Sequence, residues 1–159
     1  MMRKRLIIWL AALFLFASGE ARAGRDDLTI GMTQFPSTFS PVINAMLAKS
    51  YILAMTRRPF VTYDSGWALT CLLCVELPSI ENGLARLEGL PGGGDGMALD
   101  YEIQPGATWG DGTPVTTEDV LFGWEVGKHP LTGVADRDVY ERITAIDVHG
   151  PKRFTVHLD

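Results

Sequence analysis

Between Leu99 and Lys128 the hydrophobic period changes once, and that change constrains the fold more than any other feature of the chain. Leu99, Tyr101 and Ile103 alternate with polar residues, which predicts a half-buried strand over Leu99–Gln104. Asp111-Gly112 then turns the chain, Pro114 fixes its exit and Thr116 is a good helix N-cap. Asp119 follows at the third helical position, a variant of the capping box. Glu118 and Asp119 also favour the positive end of the helix dipole. Val120, Leu121 and Trp124 share one face of the helix predicted over Thr116–Lys128. A strand, a tight turn and a capped helix in succession require a mixed α and β domain.

The flanking segments support that class. Leu28–Met32 is short and β-prone and reads as a first strand, followed by a loop from Gln34 to Pro41. Ile43–Met55 has helical spacing without Gly or Pro, and Arg57-Arg58-Pro59 ends it. Phe60–Tyr63 reads as a strand, Asp64-Ser65-Gly66 as a turn, and Trp67–Leu77 as a buried strand stopped by Pro78. Leu90–Gly96 is too rich in glycine to pack a core and reads as a surface loop. Ile143–His149 and Phe154–Leu158 flank Gly150-Pro151-Lys152-Arg153 as a hairpin. The chain stops at Asp159 directly after an apolar strand, with many hydrophobic faces and few partner elements, which reads as a truncated domain.

The first 23 residues read as an export leader. Arg3-Lys4-Arg5 precedes the apolar run Leu6–Ala17, and Ala21-Arg22-Ala23 is a small-x-small cleavage site with Gly24 as the mature N-terminus. The apolar run is shorter than the roughly 20 residues that span a bilayer, so cleavage is expected over anchoring. The leader carries a net +3, so the formal net charge of −5 leaves −8 on the remainder. An acidic surface repels phosphate backbones and anionic lipid, which argues against nucleic-acid partners.

Few residues suggest chemistry. Cys71 and Cys74 form C-x-x-C within an apolar run. In an extended strand residues three apart lie about 10 Å apart, beyond the roughly 7 Å limit for a disulfide, so a bond requires a local turn. Packed or bonded structural cysteines, a local disulfide that shapes a loop, and redox or metal chemistry all remain open. His129, His149 and His157 lack ligands at metal spacing, and no metal is expected. Gly92-Gly93-Gly94 lacks the Lys-Ser/Thr ending of a phosphate loop, and there is no G-x-S-x-G. The chain therefore reads as a non-enzyme without cofactors. Trp124 lies on the apolar helix face and is expected in the core, while Trp109 is expected to pin the turn beside it.

The 24 residues from Tyr101 to Trp124 (YEIQPGATWGDGTPVTTEDVLFGW) resemble the signature of the family 5 extracellular solute-binding proteins, the periplasmic peptide-binding receptors of ABC importers. Trp109, Asp111, Gly112, Pro114, Thr116, Asp119 and Trp124 carry the match, and their role in the motif is structural. LTIGMTQFPSTFSP resembles the family's opening strand and loop, and Ile143–Leu158 its later hairpin. The Cys71/Cys74 stretch and the glycine-rich loop depart from the common pattern.

The resemblance implies an α/β, periplasmic binding protein-like fold of two lobes. It would be incomplete here, α+β within this piece, with a β-rich extra subdomain. Residues 24–159 would be the N-terminal part of the domain. It further implies a monomeric periplasmic receptor that captures peptides and delivers them to a membrane permease. Asn44, Ala45, Met46 and Leu47, together with Val134 and Asp136, would face the ligand cleft. Two other readings differ in class: a small exported structural or interaction module without a ligand, and a redox-active exported protein using Cys71 and Cys74.

Overall fold

The computed structural model describes Asp26 and residues 28–159, so the export leader read over residues 1–23 lies outside the described residues. The chain divides into two units, one ending at Thr33 and the other running from Gln34 to Asp159. In the first unit Leu28–Met32 is exposed and forms no strand. A β-strand exists only through hydrogen bonds to a neighbour, and no described strand pairs with this segment.

The second unit runs α1 (Leu47–Thr56), β1 (Val61–Tyr63), β2 (Leu69–Cys71), β3 (Ala85–Gly89), β4 (Asp95–Glu102), α2 (Thr117–Lys128), α3 (Arg137–Glu141), β5 (Ile143–Val148) and β6 (Arg153–Leu158). β1 and β2 form a small antiparallel pair. The other strands form one antiparallel sheet in the order β3-β4-β6-β5. Its register separates chemistry by face. Leu87, Met97, Leu158 and Ile143 lie in one row, and Ala85, Leu99, Val156 and Ile146 in the next. The opposite face carries Asp100, Thr155 and Asp147 in one row, and Arg86, Ala98, His157 and Ala145 in the next. Period-two alternation thus holds across β3, β4 and β6, and a bulge between Ile143 and Ala145 interrupts it in β5.

The core lies where the apolar face meets α2 and the segment after β2. Ile103, Ala107, Val115 and Phe154 are buried, with Phe60, Leu73, Tyr101 and Val120 packed against them. The Tyr101 ring is 5.6 Å from Phe154 and 5.4 Å from Phe60, the latter edge to face.

Several sequence expectations need correction. The helix expected from Ile43 begins at Leu47. Asn44 has φ 55, a left-handed conformation that no α-helix admits. The expected buried strand Trp67–Leu77 is only the short, partly exposed β2 followed by a bend. Trp67 is 82% exposed with φ 63, and the Cys71–Cys74 disulfide closes the bend. Leu90–Gly96 is not a loop throughout: Asp95 and Gly96 already belong to β4, and residues 90–94 form the turn of the β3–β4 hairpin. β3 and α3 are additions to the expected elements. β3 (ARLEG) has no β-branched residue and exists through its pairing with β4. The helix of the signature and the β5–β6 hairpin stand where the sequence puts them, within a residue or two.

Candidate functional site

Two segments distant in sequence meet beside α1. Ile43 forms an antiparallel bridge with Val134, and the Ala135 N–H donates to the Val42 carbonyl at 3.1 Å. Asn44–Leu47 and Val134–Asp136, assigned separately to a ligand cleft, thus flank one backbone junction. Asn44, Ala45, Leu47 and Asp136 are exposed there, while Met46 and Val134 are half-buried.

The first segment is held by a side chain that sequence reasoning did not single out. Lys49 is 3% exposed. Its ammonium donates to the carbonyls of Ser40 at 2.8 Å, Asn44 at 2.5 Å and Ile43. Three donors meet three acceptors, so a buried cation is satisfied without a carboxylate. The bonds also explain where α1 starts. The Ile43 and Asn44 carbonyls would otherwise have accepted within a longer helix, and Lys49 claims them. A signal was present in the sequence, because Lys49 is the sole charged residue of α1. Ser37 completes the loop by donating to the Met46 sulfur at 3.6 Å and accepting from the Asn44 amide at 3.4 Å.

The second segment is fixed by the end of α2. Arg137 donates to the Lys128 carbonyl at 2.9 Å and the His129 carbonyl at 3.0 Å, occupying acceptors that the helix leaves open. The Thr132 hydroxyl bonds the Val126 and His129 carbonyls, and Gly133 takes φ 62 at the turn before Val134. Asp136 is the N-cap residue of α3.

The signature residues form a scaffold. The Gly112 N–H donates to the Trp109 carbonyl at 3.0 Å, and the Trp109 N–H to the Thr113 carbonyl at 2.8 Å. Thr108 and Pro114 form a bridge across the same turn. Gly112 has φ 87, which glycine adopts without a Cβ penalty. The Asp111 carboxylate accepts from the Thr113 N–H at 2.9 Å, and the hydrogen bonds from Thr113 hold it below the ordinary carboxylate pKa. The Thr116 N–H donates to the Asp119 carboxylate at 2.7 Å. Lys152 donates to the Val115 carbonyl at 2.6 Å and the Thr117 hydroxyl to the Gly150 carbonyl at 3.1 Å. These two bonds fasten the turn and helix start to the β5–β6 hairpin. Trp109 is half-exposed beside the turn. Trp124 is half-buried, with its indole N–H buried and without an acceptor among the described residues and the Lys128 ammonium 4.3 Å over its ring.

Cys71 and Cys74 are disulfide-bonded with Cα atoms 5.1 Å apart, which the bend after β2 makes possible. The histidines are spread over the surface rather than clustered. His149 bonds Thr155 at 2.7 Å, and both His157 nitrogens face carboxylates. Among the described residues no three His, Cys, Asp or Glu side chains are placed to hold a metal ion.

No family model matches the chain. The chain is 26% identical over 179 residues to the probable peptide-binding protein YejA of Agrobacterium fabrum, an alignment that takes in 99% of this chain and 29% of the relative. Among solved structures it is similar to the oligopeptide-binding protein of Thermus thermophilus, determined with a pentapeptide. The TM-score is 0.65 and the identity 34%, over 73% of this chain and 19% of the other. It is also similar in fold to the oligopeptide-binding protein AppA of Bacillus subtilis, determined with a nonapeptide. There the TM-score is 0.61 and the identity 19%, over 78% of this chain and 22% of the other. The chain thus spans less than a third of the length of each relative, and what it carries is part of an α/β, periplasmic binding protein-like fold.

Proposed function

We propose that the chain is part of a peptide receptor of the family 5 solute-binding type, the substrate-binding component of an ABC importer. It would be exported by the leader over residues 1–23 and would work in the periplasm as a monomer that hands captured peptide to a membrane permease. The observation that carries this reading is the 34% identity, with a matching fold, to an oligopeptide-binding protein determined with its peptide. The junction between the 42–47 and 134–136 segments supports it, because it brings two segments distant in sequence, both assigned to the cleft, to one place. Asn44, Ala45, Met46, Leu47, Val134 and Asp136 are the side chains assigned to that surface. The signature residues hold the scaffold.

The test is thermal unfolding of the native protein, purified from periplasm, with and without di-, tri- and oligopeptides. A ligand at 100-fold its dissociation constant stabilises the folded state by about 2.7 kcal/mol. A midpoint that rises with peptide concentration is the expected result. A midpoint that ignores every peptide class overturns the reading. The intact mass of the same sample is expected to begin at Gly24.

A further inference from the structure

The segment between the disulfide bend and β3 is organised by one side chain. Asn82 is exposed, yet its carboxamide is fully used. Oδ1 accepts from the Ser79 N–H at 2.9 Å and the Leu84 N–H at 3.1 Å. Nδ2 donates to the Glu76 carboxylate at 2.9 Å and to the Leu77 carbonyl at 2.9 Å. A carboxamide has two acceptor lone pairs and two donors, so none is left over. The Asn82 N–H also donates to the Ser79 hydroxyl at 3.2 Å. The next residue is Gly83, with φ 74, a conformation that favours glycine. The turn thus calls for an amide at 82 and a glycine at 83, and together they make the sole Asn-Gly pair in the chain.

An Asn-Gly pair is chemically unstable. The Gly83 backbone nitrogen, on losing its proton, attacks Asn82 Cγ, because glycine has no Cβ to hinder the approach. The N–Cγ bond forms, the Cγ–Nδ2 bond breaks, and Nδ2 takes up the proton and leaves as ammonia. Water then opens the cyclic imide at either carbonyl, giving aspartate or isoaspartate. In the folded chain both reacting groups are tied. The Gly83 N–H donates to the Ile80 carbonyl at 3.2 Å, and the departing Nδ2 is bonded to Glu76 and Leu77. Ring closure requires the carboxamide to turn and give up those bonds.

We propose that Asn82 is a deamidation site that the folded turn silences and unfolding opens, so that chains which dwell unfolded are marked irreversibly. The mark damages the turn that carries it. A carboxylate at 82 has no N–H to offer the Leu77 carbonyl, and it repels Glu76. Isoaspartate further lengthens the backbone by a methylene. Both changes fall just before β3, where the Ala85 N–H donates to the Ser79 carbonyl at 3.0 Å and the Asp100 N–H to the Leu84 carbonyl at 2.7 Å. The edge strand loses its anchor.

The test is peptide mapping of the native protein after incubation in mildly alkaline buffer, with and without denaturing guanidinium chloride. Conversion at Asn82 is expected to be at least about tenfold slower in the folded protein, the cost of releasing the carboxamide. Glu76→Ala, at an exposed position, frees an amide donor. It should speed conversion about fivefold in buffer and leave the rate in denaturant unchanged. Protein converted in denaturant and refolded, and Asn82→Asp made directly, should both lose amide-exchange protection at Ala85 and Asp100. Equal rates in folded and unfolded protein overturn the proposal, as does an Asn82 that survives denaturant. A Glu76→Ala protein that converts no faster in buffer removes the turn as the cause. Unchanged exchange at Ala85 and Asp100 overturns the damage to β3.

Discussion

His157 Nδ1 lies 2.9 Å from the Glu88 carboxylate, although their strands, β6 and β3, are not neighbours. β4 runs between them and presents Gly96 opposite Glu88 and Ala98 opposite His157, so the two side chains meet over a floor with almost no side-chain height. On the other side His157 Nε2 lies 3.2 Å from Asp147 of β5. One imidazole therefore ties β6 to both edge strands.

The hydrogen bond to Glu88, with the charges of Glu88 and Asp147, raises the His157 pKa above its ordinary value against an opposing effect of burial. A folded-state pKa above the unfolded one gives stabilisation that is complete below about pH 6.5 and is lost as pH rises through the raised value. The thermal midpoint should therefore fall as pH rises above about 6.5. His157→Gln should flatten that part of the profile, and an unchanged slope would remove the ion pairs from the account.

Gly127 of α2 packs directly under the Tyr140 ring of α3, and a Cβ there would overlap the ring. Gly127→Ala should cost about 1–3 kcal/mol through overpacking, despite a gain of about 1 kcal/mol in helix propensity. In a Tyr140→Ala background the same substitution should become neutral or stabilising. Urea denaturation of the four proteins in this cycle reads the coupling directly.

Lys49→Met removes three hydrogen bonds from a charged donor and leaves the carbonyls of Ser40, Ile43 and Asn44 without that partner. A loss of roughly 2 kcal/mol or more is expected by chemical denaturation. Amide exchange should quicken first over residues 42–47, since the ammonium sets that loop. Uniform loss of protection with no local bias would contradict the assignment.

The Cys71–Cys74 disulfide closes a four-residue loop, for which chain entropy predicts about 2 kcal/mol of stabilisation. Cys71→Ser/Cys74→Ser should lower stability by that amount and leave peptide affinity unchanged. Cys74 is fully buried. The oxidised protein should show no thiol reactive at neutral pH, and a reactive thiol in the native state would restore the redox reading.

Much of the fold is legible because its determinants are local. The turn at Asp111-Gly112 and the cap that joins Thr116 to Asp119 are interactions within four residues. The alternation in β4 and the β5–β6 hairpin likewise depend on neighbours in sequence, so pattern and turn chemistry suffice. Asn44–Leu47 and Val134–Asp136 are placed on the cleft only through resemblance, because nothing local marks a surface that binds.

The tertiary structure alone decided the rest. α1 begins at Leu47 because Lys49 takes the carbonyls of Ile43 and Asn44. β3 is a strand because β4 offers it a ladder, and Glu88 meets His157 because β4 is small between them. Val42 finds Ala135, and Arg57 shares a hollow with Trp109, across long stretches of chain. Such contacts form only after the loops between them close, at an entropy cost set by the whole topology. A sequence read a few residues at a time determines the elements and their faces. Which faces meet is decided by the packing of the folded chain.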